Sequence, residues 1–331
     1  MSKTPFQFNL YRLNIVDEDQ AMLGFMGDPI RGDADIKRLL KSSVNPDFDS
    51  TTENEKTTLK WSLREFIEFT PEGGADGEVL GLVLARSLMS QAAPTVTDDG
   101  IEDTRSEMRP APAITVHMFF YMQRHIVAVE HHSAIFATDA WRKAVHGIFK
   151  SAAKEQETTS TLQLEPIPGQ DEILNTFRSF SKLVKLRVKL RMPNPEMTRI
   201  TERLKDDMEK GGVREYLHQM YSPNGLNKSE DAIPFAAVAL AQAGYKDGEV
   251  FMEGTKDGKR QKIKTGLKAE RTGLDLMREF VKGALANAKT KECNQVLSSV
   301  IKRINEVVLP PANGERKIVP QKKPRRKGRG K

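Results

Sequence analysis

The stretch SKLVKLRVKLRMP, residues 181–193, alternates strictly, with Lys185, Arg187, Lys189 and Arg191 on every second position and Leu186, Val188, Leu190 and Met192 between or beside them. An extended chain puts alternate side chains on one face, so the pattern specifies a strand with one face on a core and a row of cations on the other. Neighbours in that row stand about 6.6 Å apart, which makes it roughly 20 Å long. Four like charges so placed repel one another unless anions lie across them. Those anions are either carboxylates of adjacent strands, which would make the row an ordinary solvated face or a guarded sheet edge, or the phosphates of a polyanion.

The formal net charge of +7 on its own favours the second answer, but its location matters. Residues 315–331 hold nine of the 52 basic and one of the 45 acidic residues, leaving 43 basic and 44 acidic residues, a net of −1, over residues 1–314. The basicity belongs to a terminal tail, so body and tail need separate electrostatic treatment. Within that tail Lys322, Lys323, Arg325, Arg326, Lys327 and Arg329 form a dense cluster with Pro and Gly, a composition that predicts disorder and nonspecific polyanion contact.

Elsewhere the periodicity changes from segment to segment. FQFNLYRLNIV (6–16) reads as a strand with Phe8, Leu10, Arg12 and Asn14 on one face and Leu13 and Ile15 on the other, and residues 58–72 read as a second strand. DADIKRLLKSS predicts a short helix capped by Asp33 or Asp35, while the apolar run 77–90 suits either a buried strand or a short helix. Residues 91–109, rich in Pro, Thr, Asp, Gly and Ser, read as an exposed acidic loop. Two strand-like runs within 113–135 predict a hairpin turning near Met122–Arg124, followed by a helix over 138–155 with Trp141, Val145, Ile148 and Phe149 on one face.

TLQLEPIPG then predicts a strand and DEILNTFRSFSK a helix. After the basic strand come helices over 193–212, through Met197, Ile200, Leu204 and Met208, and over 229–244, then a hairpin over 248–266 turning at Asp257-Gly258. From Thr272 to Val308 a helical pattern prevails, and Cys293, Leu297, Val300, Ile304 and Val307 form a stripe fit for a dimer seam or for docking on the chain's own core. Together these elements give an α+β chain. Its expected units are a β-rich domain with one covering helix over 1–157, an α+β domain over 158–268, a helical segment over 269–309 and a disordered basic tail over 310–331.

Several chemistries lack their residues. There is no GxxxxGK[ST] loop, no GxGxxG after a strand and no GxSxG elbow, and the lone Cys293 has no nearby histidine in sequence. His117, His125, His131, His132 and His146, with Glu130 and Asp139 among them, fall close together but match no metal-ligand spacing, so neither a metal nor a cofactor is assigned. Glu249, Glu253 and Lys256 do not have the spacing of a metal-dependent nuclease. The absence of a long apolar run, together with a single cysteine, points to a cytoplasmic protein without membrane contact.

FQFNLYRLNI, KLRMPNPE and AIPFAAVALAQAGYKDGEVFMEGTKDGK together resemble a family of bacterial proteins found in prophage and defence-type gene neighbourhoods, over roughly residues 5–266. The resemblance implies a bacterial or phage cytoplasmic protein and carries no catalytic residue. The expectation is a nucleic-acid-associated protein, in phage defence or regulation, that binds the phosphate backbone of DNA or RNA through Lys185, Arg187, Lys189, Arg191 and the tail cations. The alternatives are a scaffold that dimerises through its C-terminal helix, or a metal-dependent nuclease or hydrolase using the His117–His146 region.

Overall fold

The computed structural model describes residues 5–17, 30, 32–69, 77–98, 100–191, 213, 215–287 and 290–308, giving the backbone alone at 95, 97, 102–105 and 215. The helix expected over 193–212 and the basic tail, with Lys322, Lys323, Arg325, Arg326, Lys327 and Arg329, lie outside the described residues.

Two antiparallel sheets and their helices make an α+β fold. The larger sheet contains β1 (Pro5–Asp17), β2 (Ser50–Glu53), β3 (Thr57–Phe69), β4 (Val79–Thr97), β5 (Gly100–Glu107), β6 (Ala113–Tyr121), β7 (Ile126–Glu130), β8 (Ser160–Pro166) and β13 (Arg271–Met277). Its order is β13-β1-β7-β6-β4-β3-β2, with β8 also on β1 and β5 also on β4. β8 and β13 therefore join the sheet from beyond residue 157. Both faces of the sheet are covered, which explains why β1 is apolar on both.

On one face Tyr11, Leu13, Leu63, Leu84 and Val129 pack under α1 (Asp33–Ser42), the single turn α2 (Ser133–Phe136) and α3 (Ala140–Glu155), whose Trp141, Val145, Ile148 and Phe149 are the residues expected there. On the other, Phe6, Phe8, Leu10, Phe119 and Ile126 pack under α6 (Arg278–Leu285) and α7 (Lys291–Val307). Cys293, Leu297, Val300 and Ile304 are all buried there, so this part of the C-terminal stripe docks on the chain's own sheet. Two expectations fail at the level of single elements. The start of the helical pattern expected from Thr272 lies instead in the edge strand β13, Arg271–Met277, because its backbone pairs with Pro5–Asn9 of β1. Residues 91–107, expected to be a loop, extend β4 and β5 into a two-stranded ribbon with unbroken pairing from Ser90↔Glu107 to Thr97↔Gly100.

The smaller sheet is built from β9 (Lys182–Arg191), β10 (Glu215–Tyr221), β11 (Val250–Lys256) and β12 (Lys259–Thr265), in the order β10-β9-β11-β12. Leu186, Val188 and Leu190 of β9 and Val250 and Met252 of β11 face α4 (Glu172–Ser179) and α5 (Ile233–Gln242), which contribute Ile173, Phe177, Phe235 and Val238 to the third core. A β-bulge at Glu253/Gly254 brings β11 so close to β9 that a Cβ on Gly254 would collide with the Lys182 carbonyl.

The two polar residues on β1's otherwise apolar face join the sheets. The buried Arg12 donates from Nε to the Ala243 carbonyl at 2.8 Å and lies 4.6 Å over the Tyr245 ring, while Asn14 Nδ2 donates to the Gly244 carbonyl at 3.1 Å. Gly244 holds a φ of +88°, and a Cβ there would stand 2.7 Å from that of Arg12.

Candidate nucleic-acid interface

The outer face of the small sheet, opposite α4 and α5, is laid out by register. In the first row Tyr221 of β10, Lys185 of β9, Glu253 of β11 and Lys262 of β12 stand side by side. In the second stand Gln219, Arg187, Phe251 and Lys264. Leu217 and Lys189 begin the third and Glu215 and Arg191 the fourth. Opposed residues in an antiparallel pair share a face, so the predicted row Lys185, Arg187, Lys189, Arg191 does run along one side, with Leu186, Val188 and Leu190 on the other.

Of the two kinds of anion that could lie across the row, carboxylates of the same chain form ion pairs with three of its four cations, and only Lys185 has none among the described residues. Asp247 Oδ2 meets both Lys189 Nζ and an Arg191 terminal nitrogen at 2.8 Å. Glu249 Oε1 takes Lys264 at 2.8 Å and lies 3.8 Å from Arg187, and Glu253 Oε1 takes Arg260 at 2.6 Å. Burial acts to raise the Asp247 carboxyl, but its bond from Lys189 and the Arg191 charge outweigh that and hold it below the ordinary carboxylate range. Three carboxylates thus engage five cations. Glu253 lies between Lys185 and Lys262 in register yet turns to Arg260, and among the described residues neither lysine has an ion-pair partner.

Asp247 is held in place from below. In the turn after α5 the Tyr245 carbonyl accepts from Arg191 N and Asp247 N donates to the Lys189 carbonyl. The buried Lys246 donates to the Gly248 carbonyl at 3.1 Å and lies 3.7 Å from the buried Glu165 of β8. Burial pushes the Lys246 amine down and the Glu165 carboxyl up, each partly offset by the other's charge.

Among the residues whose side chains are described, the cations of this face, Lys185, Arg187, Lys189, Arg191, Arg260, Lys262 and Lys264 among them, outnumber its carboxylates Asp247, Glu249 and Glu253. The face is open. Tyr221 is 67% and Leu217 62% exposed, and Arg187, with 47% of its side chain exposed, lies with its guanidinium carbon 5.6 Å from the centre of the Phe251 ring. The periodicity reading did not bring out Tyr221, Phe251, Arg260, Lys262 or Lys264. KRQKIKT (259–265) does repeat the alternation of β9 and so carried a signal for β12, whereas EYLHQMY of β10 alternates no hydrophobic and polar groups.

The histidines separate into structural roles. His117 Nδ1 meets Glu130 Oε2 at 2.9 Å, His125 Nε2 meets Asp33 Oδ1 at 2.8 Å, His146 Nδ1 faces the Leu162 carbonyl at 3.0 Å, and His132 caps α2 by accepting from Ala134 N. Asn9 Nδ2 lies 3.4 Å from His131 Nδ1. Among the described residues no group of three or more His, Cys, Asp or Glu side chains converges as a metal site would require. Glu249 and Glu253, considered above as nuclease carboxylates, are occupied by Lys264 and Arg260. No helix among the described residues is long and apolar enough to cross a membrane.

No curated protein matches the chain. A family model described as a domain of unknown function (DUF4747) matches residues 90–269, a segment that contains all four strands of the small sheet together with α4 and α5.

Proposed function

Since the chain belongs to the DUF4747 family, whose description assigns no activity, we propose a function from the site itself: a nucleic-acid-associated protein that holds the phosphate backbone on the outer face of its small sheet, assisted by its basic tail. The observation that carries this reading is that cations outnumber the described carboxylates Asp247, Glu249 and Glu253 on the outer face of a body close to neutral over residues 1–314, with Lys185 and Lys262 left without ion-pair partners among the described residues. Clustering cations against the average of the rest creates a local positive potential, and each phosphate held releases counterions. Lys185 and Lys262 are the first contacts, since no internal pair must be broken to use them. Arg187, Lys189, Arg191 and Lys264 add to the field from within their pairs. The role in phage defence or regulation is part of the same proposal and is supported by the sequence resemblance alone.

The test is a fluorescence titration of a mixed-sequence oligonucleotide at two salt concentrations, with the full chain and with a chain ending at residue 310. The reading predicts affinity that falls with salt for both, more steeply for the full chain because the tail holds additional phosphates. Binding indifferent to salt would overturn it, and binding confined to the full chain would remove the folded face from it.

A further inference from the structure

The face carries more than charge. Phosphate-directed cations bind any nucleic acid, whereas reading or gripping a duplex from within requires a helix or ribbon that enters a groove. Here α4 and α5 lie behind the sheet, and the exposed side is a surface of side chains about 5 Å apart between strands and 6.6 Å apart along them. Such a surface offers a duplex only its phosphate contacts. To an unpaired strand it also offers ring faces, because unstacked bases lie flat on aromatic rings and on guanidinium planes.

Two such platforms are present. Tyr221 stands beside Lys185 on the edge strand β10, and no ring pair or ion pair among the described residues engages it. One row on, Arg187 lies over Phe251, so that its guanidinium forms a second flat surface backed by a ring. Lys185 and Lys262 share Tyr221's row, separated by the width of β11, or roughly 10 Å. Stacking surfaces and unpaired cations therefore sit together on adjoining rows, while Asp247, Glu249 and Glu253 are turned to Lys189, Arg191, Lys264 and Arg260, with Glu249 also 3.8 Å from the edge of the Arg187 guanidinium.

We propose that the outer face of the small sheet takes single-stranded nucleic acid, its bases stacking on Tyr221 and on the Arg187 guanidinium over Phe251 while Lys185 and Lys262 hold its phosphates. This rests on the nucleic-acid reading above and narrows its ligand. Nothing in the arrangement recognises a particular base, since every base has a ring face, so the expected preference is for strandedness over sequence. DNA and RNA share this chemistry.

The experiment compares labelled oligo(dT), oligo(U) and a duplex of about fifteen nucleotides, in the size range of single-strand sites on one sheet domain, against the full chain and its Tyr221→Ala and Tyr221→Phe variants. Tyr221 is exposed, so neither variant disturbs the core. Both single strands are expected to bind at least about tenfold more tightly than the duplex; Tyr221→Ala should lose about tenfold on the single strands and nothing on the duplex, and Tyr221→Phe should keep the affinity because it keeps the ring. Salt-dependent binding that is equal for duplex and single strands, or that ignores Tyr221→Ala, would overturn this inference and leave the broader reading standing. Failure to bind any of the three oligonucleotides, or a preference for polyglutamate over all of them, would overturn both.

Discussion

Glu130 shows what a single residue contributes in this fold. Its carboxylate is buried under α6, where Oε1 accepts from Arg278 Nε at 2.6 Å and Oε2 meets both His117 Nδ1 and the His117 backbone N–H. Burial alone would raise its pKa, yet the His117 and Arg278 bonds and the Lys282 charge bring it down from 4.5 to about 2. A carboxyl whose folded pKa is depressed stabilises the fold fully above its unfolded value and loses that contribution as pH falls toward the folded one. The window is pH 4.5 down to about 2, and the contribution above it is roughly 3 kcal/mol. Urea midpoints measured from pH 6 to pH 3 should fall for the natural chain, while Glu130→Gln, which cannot ionise, should start lower at pH 6 and show a flatter slope. Equal slopes would place the pH dependence elsewhere. By contrast, burial takes the His218 imidazole down to about 4, so it remains neutral through most of that range.

At the scale of elements, α7 decides between two uses of one apolar stripe. Its Leu297 is buried with Phe6, Phe8 and Phe119 of the large sheet, so Leu297→Ala should cost about 2–5 kcal/mol in denaturant unfolding and leave the mass from light scattering unchanged. A loss of mass with little loss of stability would mean that the stripe joins two chains. The elements also differ in how well their sequences announce them. β9, α3 and the hairpin closed by Asp257-Gly258 were legible because their periods of two and 3.6 and their turn residues are local properties. The β4–β5 ribbon was not, because Pro94, Thr97 and Gly100 carry the composition of a loop and only cross-strand pairing makes them extended. β13 was hidden for a related reason, since Arg271–Met277 runs directly into α6 and acquires its strand state from β1 at the opposite end of the chain. The candidate face was half legible. Its cations alternate visibly along β9, but the carboxylate that neutralises Arg191 lies 56 residues downstream and meets it only after Lys246 and Glu165 have fixed the turn between the sheets.

Across the whole molecule, charge is distributed unevenly over a body that is close to neutral. The β4–β5 ribbon carries Asp98 at its tip, beside the paired Val96 and Ile101, 80% and 74% exposed, while Glu107 at its base is met by Arg109 at 2.8 Å. The small sheet carries the opposite sign on its outer face, while Arg12 and Asn14 fasten its turn to the large sheet. The proposed function depends on whether that face still has charge to offer after Asp247, Glu249 and Glu253 have taken their partners. The direct measurement is the slope of log affinity against log salt for a single-stranded oligonucleotide, comparing the full chain with its Lys185→Gln/Lys262→Gln variant. Two lost phosphate contacts predict a slope shallower by about 1.4; an unchanged slope would mean that the folded face releases no counterions and holds no phosphate.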